Sequence, residues 1–470
     1  MAGPVAIGVD LGTSGLKLAA VDTSGRVVGR AASGYPTARP TPDAAEQDPA
    51  DWLAALDLAT AELAGQVEPQ RWSALALSAM LPTLVVLDDD RRPVGPAITW
   101  EDGRAEREAA ELLAGLDPEA LYRRTGQRVD GRYLLPMAAR LARQGVAFTH
   151  LVGARDFLYQ HLTGRLVTDP STAAGYGNWL LAEGRWDAGL PAVGTLPEVV
   201  PSDHAESLLA ERAAAWGCRA GIPVLVGGAD SVLGCYGLGV REPGPVAAVL
   251  GTSAVLIAEA AGPDPDPEGL AIVTPTATGG FAREIDLLTL GSAIDWLGRL
   301  FGLDARQVLE LAGTPALPDA PLVLPYLAPG EQGVRWDPTL FGAIDQLSLR
   351  SGRAELALGL VAGLVHELSR GIALLSPGGG PILAGGSVAA SPVFRQALAD
   401  ASGREVRFDP AGADSSTIGA ARFAAAQTLG VESAAAGSVL CATPNPGAAG
   451  EWRRRAEWHE AAVAARQAAR

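Results

Sequence analysis

Short apolar runs separated by small and polar residues fill the first thirty positions of the chain. The runs occupy residues 6–9, 16–21 and 26–28, and glycine, serine, threonine and aspartate make up most of the gaps between them. Apolar runs with this punctuation are typical of strands joined by tight turns. The pattern predicts three successive strands connected as hairpins.

The same pattern recurs in the second half of the chain. An apolar run at 246–250 leads into Gly251-Thr252-Ser253, and another apolar run follows at 254–258. The tetrapeptide Leu-Gly-Thr-Ser occurs at 11–14 and again at 250–253. A four-residue match arises by chance in a glycine-rich chain, so the argument depends on the matching strands around it. We predict two similar domains, each presenting a Gly-Thr-Ser turn.

Segments with apolar residues at helical spacing lie between and after these hairpins. One starts at Asp48-Pro49, where proline is tolerated because the first turn of a helix does not use its missing N–H. Helices are predicted at 48–63, 104–113, 355–375 and 451–470, and further strands at 74–77, 83–87, 223–226 and 381–383. The alternation of strands and helices predicts an α/β fold.

A cluster of glycine and proline at residues 237–245 divides the chain near its middle. The chain has 470 residues, which exceeds the size at which a single hydrophobic core usually stops growing. We therefore predict a first domain over residues 1–240 and a second domain over residues 241–470.

Charge and composition narrow the classes of partner. The chain has 37 basic and 53 acidic residues and a net charge of −16, which repels nucleic acids and anionic membranes. No apolar run reaches the roughly 20 residues of a membrane span, and Asp10 interrupts the N-terminal apolar stretch. Cys218, Cys235 and Cys441 have no disulfide or zinc spacing. We expect a cytoplasmic protein without nucleic-acid or membrane partners, and a homodimer is left open.

The number of lysines in the chain points to a candidate phosphate-binding site. Of the 37 basic residues 36 are arginine, and the single lysine is Lys17. It lies just beyond the turn at 12–15, whose glycines let backbone N–H groups approach a phosphate, and a lysine there would add a compact positive charge. Asp10, at the end of the preceding strand, could hold Mg²⁺ through water. The alternatives are an ordinary hairpin turn and a lysine retained by chance.

Two further glycine-rich elements follow predicted strands. The strand at 223–226 runs into Gly227-Gly228-Ala229-Asp230, and a carboxylate at such a strand end can accept a proton from a substrate hydroxyl. The alternative is an aspartate that caps a helix starting at Ser231. Gly385-Gly386-Ser387 could lie against a nucleotide base or ribose, or could form a plain strand-to-helix turn.

Other catalytic schemes lack their motifs. Lys17 has neither the glycine spacing nor the following serine or threonine of a Walker A loop, and the dinucleotide-binding and serine-hydrolase patterns are also absent. The five histidines show no metal-ligand spacing and are expected on the surface or in the core; they are His150, His161, His204, His366 and His459.

In their order along the chain, these segments resemble the FGGY carbohydrate kinases, and within them most closely the xylulokinases, from Val5 to about Ala425. Residues 10–17 resemble the first phosphate loop of that family, 227–230 its catalytic aspartate segment, and Trp100-Glu101-Asp102 its sugar-pocket turn. The other similar segments are 46–49, 92–93, 96–98, 162–164, 168–171, 250–253, 325–327 with 330–331, 336–338 and 385–387.

The resemblance implies two ribonuclease-H-like domains of the actin and hexokinase type, closing over ATP, Mg²⁺ and a small sugar or polyol in the cleft between them. Asp230 would be the catalytic base. The implied residues are Gly12, Thr13, Ser14, Lys17, Gly251, Thr252, Ser253, Gly385, Gly386 and Ser387 for ATP and its phosphates; Met80, Leu81, Trp100, Asp102 and Asp230 for the substrate; and Asp10 and Asp230 for Mg²⁺ through water.

Three positions depart from the xylulokinase pattern. Pro82 stands where these enzymes usually carry a sugar-facing histidine, Glu101 replaces an asparagine, and Met137 replaces a lysine. The alternative for residues 80–83 is a simple buried strand. A ketopentose such as D-xylulose is the expected substrate, and another ketose, a polyol or a sugar acid are alternatives, since polar groups paired to specific hydroxyls discriminate sugars.

Two rival classes remain on the same fold. A non-catalytic regulator that binds ATP or a sugar would not need a base, so Asp230 argues against it. A chaperone or filament ATPase is disfavoured by the segment 100–104, which resembles a sugar pocket.

Overall fold

The computed structural model describes residues 3–190, 192–328, 333–337, 339–410, 414–431 and 439–468. Gly330, Glu331 and Pro338 of the segments named for the resemblance lie outside these residues, as do the last two residues of the predicted C-terminal helix. The described residues form 23 strands and 14 α-helices, distributed over two domains that are each built on a large sheet.

The elements follow one another as short strands and helices of very different length. The strands are β1 (Val5–Leu11), β2 (Gly15–Asp22), β3 (Val27–Gly34), β4 (Glu46–Gln47), β5 (Trp72–Ala79), β6 (Leu84–Leu87), β7 (Ala97–Ile98), β8 (His150–Gly153), β9 (Val167–Thr168), β10 (Trp179–Leu180), β11 (Arg185–Trp186), β12 (Glu198–Val199), β13 (Ala205–Ser207), β14 (Pro223–Ala229), β15 (Val246–Leu250), β16 (Ala254–Ala260), β17 (Ile272–Pro275), β18 (Phe281–Leu287), β19 (Leu322–Leu324), β20 (Ala343–Asp345), β21 (Ile382–Gly385), β22 (Val406–Phe408) and β23 (Leu440–Ala442). The helices are α1 (Pro49–Ala64), α2 (Glu106–Leu112), α3 (Pro118–Thr125), α4 (Leu134–Arg143), α5 (Ala154–Thr163), α6 (Pro170–Ala174), α7 (Ala210–Trp216), α8 (Asp230–Leu238), α9 (Gly291–Phe301), α10 (Ala305–Ala312), α11 (Arg353–Leu375), α12 (Pro392–Ser402), α13 (Ser415–Leu429) and α14 (Ala449–Ala468).

The first domain is built on a six-stranded sheet in the order β13-β14-β5-β1-β2-β3. Strands β1, β2 and β3 form an antiparallel ribbon in which Asp10 lies opposite Lys17, and β5 and β14 extend the sheet parallel to β1. Helix α1 covers one face and α13 the other. Every residue of β1 is buried as a result.

The second domain repeats this arrangement in a seven-stranded sheet of the order β17-β18-β16-β15-β21-β22-β23. Strands β15, β16 and β18 are antiparallel neighbours, and β21 and β22 run parallel to β15. These five strands therefore occupy the positions that β1, β2, β3, β5 and β14 occupy in the first sheet. The predicted pair of similar α/β domains is confirmed.

Two helices connect the domains beneath the cleft. Helix α8 leaves β14 and packs against β15 and β16, whereas α13 packs against β1 and β5 of the first sheet. Glycine is required where they meet, because a Cβ on Gly419 would lie 1.7 Å from Leu233 O and a Cβ on Gly237 would lie 2.2 Å from Ser415 O. Since each helix packs on the opposite domain, the boundary at residue 240 stays a prediction.

The predicted elements of both hairpins are confirmed, as are the helices that begin at Pro49, Arg353 and Ala449. The helix predicted at 104–113 is shorter, at Glu106–Leu112, and α3 to α5 were not predicted. By length and composition α11 is the one helix among the described residues that could cross a membrane. Most of it is buried in the second domain, and a core helix meets the same criteria.

Candidate active site

Polar side chains gather at the carboxyl ends of three parallel strands of the first sheet. Asp10 lies near the end of β1, Ser78 is opposite it on β5, and Asp230 follows β14. The Ser78 hydroxyl donates to Asp10 Oδ1 at 2.7 Å, and the Thr417 hydroxyl of α13 donates to Oδ2 at 3.1 Å. This edge of an α/β sheet is where ligands usually bind.

The Asp230 carboxyl group is partly buried and has few partners. Burial, and then the negative charge of Asp10, raise the pKa of Asp230 to about 8. Helix α8 begins at Asp230 itself with Ala229 at the N-cap position, and the carboxylate accepts a hydrogen bond from Ser231 N at 2.8 Å. The alternative of an aspartate that caps a helix starting at Ser231 is therefore wrong. A carboxyl group with a pKa in this range is suited to accept and release a proton at neutral pH.

The first Gly-Thr-Ser turn is held from the side of the first domain. Gln47 Nε2 donates to Thr13 O at 2.8 Å, Trp100 Nε1 donates to Thr13 Oγ1 at 3.0 Å, and the Tyr35 hydroxyl donates to Gly12 O. Ser14 and Gly15 complete the turn, in which Gly12 N donates to Gly15 O at 3.1 Å. The turn that would face a phosphate is thus tied to the indole of a predicted sugar-pocket residue.

Lys17 lies beside this turn and pairs with an aspartate from the second half of the chain. Its Nζ lies 2.9 Å from Asp414 Oδ1, and Arg30 Nη1 lies 2.9 Å from Asp414 Oδ2. About half of the Lys17 side chain is exposed (48%). The ammonium group is therefore accessible to solvent, and its contact with a phosphate stays a prediction.

The second Gly-Thr-Ser turn is held by backbone groups instead. Gly251 O accepts from Gly291 N at 3.0 Å, and Thr252 O accepts from Leu290 N at 3.0 Å, at the start of α9. A Cβ on Gly291 would lie 2.5 Å from Gly251 O, so this approach requires glycine. Ser253 closes the turn by accepting a hydrogen bond from Gly251 N at 2.9 Å.

The third glycine element lies next to the second turn. Gly385 ends β21, and Gly386 has a φ of +90°. A Cβ on Gly386 would lie 2.3 Å from Leu250 O, so glycine is needed for both reasons. Ser387 follows it. Contact of these residues with an adenosine group stays a prediction.

A cavity of about 190 Å³ lies between the domains. It brings together six of the predicted site residues, which are Thr13, Met80, Leu81, Trp100, Asp230 and Ser253. The other predicted residues do not line it, namely Asp10, Gly12, Ser14, Lys17, Asp102, Gly251, Thr252, Gly385, Gly386 and Ser387. A carboxyl group, an aromatic side chain and one residue of each turn therefore line one cavity.

Residues 80–83 lie beside this cavity, and the first three of them form its apolar wall. They connect β5 to β6 without strand pairing, so the alternative of a simple buried strand is wrong. Leu81 and Pro82 face the cavity beside Met80. Gly175 lies against Leu81, since a Cβ on Gly175 would be 2.7 Å from Leu81 Cδ1. Pro82 offers no hydrogen-bond donor to a bound sugar.

Asp102 lies behind the cavity wall. Its carboxylate accepts from Ala45 N at 2.9 Å and from Arg104 Nη2 at 2.5 Å, and the same guanidinium reaches Glu46 Oε1 at 2.6 Å. Because the side chain is only 2% exposed and already paired, the structure does not bring it to the sugar side. Direct substrate contact by Asp102 stays a prediction that this position does not favour.

Several residues that the sequence did not reveal close the cavity toward the second domain. Gln127 Nε2 donates to Val273 O at 2.7 Å, and Gln127 Oε1 accepts from the Tyr133 hydroxyl at 3.0 Å. The Arg128 guanidinium lies 4.9 Å from the centroid of the Trp336 ring. The bond between Gln127 and Val273 joins residues 146 positions apart, and no local motif marks it.

The carboxylates of Asp10 and Asp230 fit a hydrated divalent cation. Asp10 is 8% exposed and burial raises its pKa, while its charge also raises the pKa of Asp230. A cation between them would relieve this repulsion, and Mg²⁺ commonly binds one or two carboxylates and several waters. The donor set is therefore suitable for the predicted ion.

A second cluster of polar side chains, in the C-terminal half, combines histidines, a glutamate and arginines. The ring centroids of His366 and His459 lie 4.3 Å apart beside Glu367, and both side chains are buried, as expected for core histidines. Arg335 Nε lies 2.8 Å from Glu367 Oε1, and Arg370 Nη1 lies 3.4 Å from Oε2. Because arginines already neutralise the carboxylate, the cluster is a structural network rather than a metal centre.

Comparison with known proteins agrees with this geometry. The N-terminal domain model of the FGGY family of carbohydrate kinases matches residues 5–237, and the C-terminal domain model matches residues 246–428. The xylulose kinase of Escherichia coli K12 is 31% identical over 444 residues, which covers 89% of each chain. The gluconokinase of Bacillus subtilis 168 is 27% identical over 442 residues, covering 88% of this chain and 86% of its own. The crystal structure of a xyloylose kinase from Brucella ovis has a TM-score of 0.90 at 27% identity, covering 99% of this chain and all of its own (100%).

Two ribonuclease-H-like domains with a cleft between them define a protein of the actin-like fold class. The chain belongs to the FGGY family of carbohydrate kinases. It is an enzyme that phosphorylates a carbohydrate with ATP, and the rival classes of regulator and of chaperone or filament ATPase do not hold.

Proposed function

We propose that this kinase transfers the γ-phosphoryl group of ATP to a hydroxyl of a small open-chain sugar, with D-xylulose as the first candidate. The observation that supports this most is the position of Asp230, which shares one cavity with Thr13 of the first turn and Ser253 of the second. A sugar hydroxyl in this cavity would lie close to a base and to both phosphate turns. Phosphoryl transfer depends mainly on such positioning and on charge stabilisation.

The residues divide the work as follows. The Asp230 carboxylate accepts the proton of the attacking hydroxyl, and the backbone N–H groups of the two turns bind phosphate oxygens. Lys17 exchanges its contact with Asp414 for the terminal phosphate. Asp10 and Asp230 hold Mg²⁺ through water, and that ion, when bound, supplies charge neutralisation on the phosphate oxygens.

D-Xylulose is proposed first because two kinds of support coincide. Xylulose kinases are among the curated relatives that the chain resembles, and Trp100 lines the cavity together with the apolar residues Met80, Leu81 and Pro82. Pro82 leaves one sugar hydroxyl without the partner that a histidine would offer. An unpaired buried polar group costs about 1–3 kcal/mol, which corresponds to a KM raised by about ten- to a hundred-fold.

A sugar acid is the second candidate, and one observation favours it. Two guanidinium groups, of Arg128 and Arg132, line the cavity. Arg132 is paired with Asp130 at 2.6 Å, but among the described residues no carboxylate forms an ion pair with Arg128. Arginine binds carboxylates in a fork geometry. One relative, from Bacillus subtilis, is named a gluconokinase.

A panel of ketoses, polyols and sugar acids, assayed for sugar-dependent ADP release, tests the substrate. We expect activity on D-xylulose with a high KM, and Pro82→His should lower that KM, whereas Pro82→Ala, which adds no polar group, should not. If D-xylulose is inert and Pro82→His creates no activity, the assignment to this ketopentose is wrong. Turnover of a sugar acid that Arg128→Gln abolishes would establish the second candidate.

A further inference from the structure

A network of buried charged side chains contacts β14, the strand that directly precedes Asp230. Arg155, Asp156 and Asp169 are each at most 1% exposed. Arg155 Nη2 lies 2.5 Å from Asp156 Oδ1 and 3.1 Å from Asp169 Oδ1, and Arg155 Nη1 donates to Val226 O on β14 at 2.9 Å. Charged groups at this depth are stable only when paired in a fixed geometry. The reaction described above uses none of them.

Ser171 connects this network to the backbone in front of Asp230. Its hydroxyl donates to Asp169 Oδ2 at 2.6 Å and accepts from Ala229 N at 2.9 Å. Ser171 also lies close to Gly228, since a Cβ on Gly228 would be 2.9 Å from Ser171 Oγ. The peptide group that carries Ala229 N is thus fixed to a rigid, buried carboxylate.

Ser171 also lines the sugar cavity, yet its hydroxyl has a single proton. That proton is directed to Asp169, so the hydroxyl has no donor left for a sugar. Asp169 is itself fixed, because it caps α6 by accepting from Ser171 N at 2.9 Å and Thr172 N at 3.1 Å. The arrangement is therefore a support for the backbone rather than a substrate contact.

We propose that Ser171 is a positioning residue that holds Asp230 in its productive orientation through the Ala229 N–H bond. This inference rests on the proposed role of Asp230 as the base. A displacement of about 1 Å at a reacting group can cost on the order of 10²-fold in rate. Loss of one hydrogen bond, with Gly228 and the strand still in place, should cost less, about ten-fold.

Ser202 provides a matched control. Its hydroxyl donates to the same oxygen, Asp169 Oδ2, at 3.3 Å and is similarly buried, but it does not bond to Ala229 N. Ser171→Ala and Ser202→Ala therefore remove comparable contacts of Asp169. Only the first removes the support of the segment before Asp230.

The experiment measures kcat and the two KM values with whichever panel sugar the wild type phosphorylates, together with the melting temperature. Ser171→Ala should lower kcat about ten-fold and leave both KM values within about two-fold. Ser202→Ala should keep kcat. Ser171→Cys, which keeps the size but has a weak acceptor sulfur, should reproduce the loss even if the alanine variant does not fold.

A double variant decides whether Ser171 acts through Asp230. In the Asp230→Asn background, Ser171→Ala should cause no further loss of kcat, because residues that act as a unit are not additive. An equal further loss, an unchanged kcat with a lower melting temperature, or a rise confined to the sugar KM would overturn the inference alone. Absence of sugar-dependent turnover in the wild type would overturn it together with the proposed function.

Discussion

The two Gly-Thr-Ser hairpins share one fold but differ in the chemistry they carry. In the first, the cross-strand pair next to the turn is Asp10 and Lys17, and in the second the corresponding pair is Val249 and Val255. The first hairpin thus carries two opposite charges at this pair, and the second carries only apolar side chains. A duplicated topology does not imply a duplicated function, since the functional groups are added to the fold locally.

The two turns are also held in different ways. Side chains of the first domain hold the first turn, through Gln47 and Trp100. Backbone N–H groups at the start of α9 hold the second, through Leu290 and Gly291. The first turn is therefore coupled to the sugar side of the cleft. The second is a rigid backbone surface, which suits a nucleotide phosphate of constant shape.

Substitution of Asp10 should have the largest effect on kcat and should show most clearly that the two hairpins differ in function. Asp10→Asn removes a charge that faces Asp230 and the proposed ion, so we expect kcat to fall about 10²-fold. The matched change in the second hairpin, Val249→Ala, should alter kcat less than about three-fold, because it removes only packing. Steady-state rates of sugar-dependent ADP release measure both, and equal effects of the two variants would show that the hairpins do not differ in function.

The pH dependence of the reaction should reflect the ionisation of Asp230, whose pKa is raised in part by Asp10. Because burial and Asp10 raise the pKa of Asp230 to about 8, the proton-accepting form is lost as the pH falls below that value. We expect kcat/KM for the sugar to decrease about ten-fold per pH unit below pH 8. A profile that stays flat down to pH 5 would contradict the raised pKa.

Substitution of Lys17 should have a smaller and nucleotide-specific effect. Lys17→Ala should weaken the binding of ATP about ten-fold and the binding of ADP less, since a compact charge contributes most at the terminal phosphate. Arg30→Ala is the control, because Arg30 pairs with the same carboxylate, Asp414, without a predicted phosphate contact. Isothermal titration with both nucleotides measures this. Equal losses for ATP and ADP, or none, would argue against the phosphate role.

The smallest expected effect is on the stability of the second domain. Two groups there, Glu367 and His459, have lowered pKa values, whereas the pKa of Asp230 is raised. Burial would raise the pKa of Glu367, but the hydrogen bond with His459 and the charge of Arg335 lower it to about 2, and burial lowers the pKa of His459 to about 4. Between pH 6.5 and 4 the unfolded chain binds a proton on His459 that the folded chain does not. Acidification therefore favours unfolding, and below pH 4.5 Glu367 adds to the effect.

The melting temperature as a function of pH tests this. It should fall from pH 6.5 to 4 in the wild type, and His459→Gln should flatten that part of the curve by several degrees. His150→Gln, in the first domain, should keep the wild-type slope. A wild-type melting temperature independent of pH over this range would refute the assignment.

Features carried by adjacent residues could be predicted from the sequence. Both hairpins, the strand before Asp230 and the helix starting at Pro49 depend on local patterns of apolar residues, glycine and proline, and the structure contains all of them. The prediction of two domains followed from the repeat of one such pattern. Local sequence therefore sufficed for the α/β class and for the place of Asp230 directly after β14.

Features that depend on distant partners could not be predicted. Gln127 is held by Val273, Ser171 contacts Ala229, and His366 bonds to Glu460, across 146, 58 and 94 positions respectively. Contacts between residues so far apart in the sequence leave no periodicity or motif. Asp102 is the converse case, since the resemblance to a family predicts it at the substrate while its carboxylate is paired with Arg104 and does not line the cavity.

The role of Asp230 is the central claim, and one comparison of variants tests it most directly. Asp230→Asn keeps the shape of the side chain but does not accept the proton, so sugar-dependent ADP release at pH 8 should fall about 10²-fold or more. ATP binding, measured by titration, should be retained. Near wild-type turnover by Asp230→Asn would contradict the account.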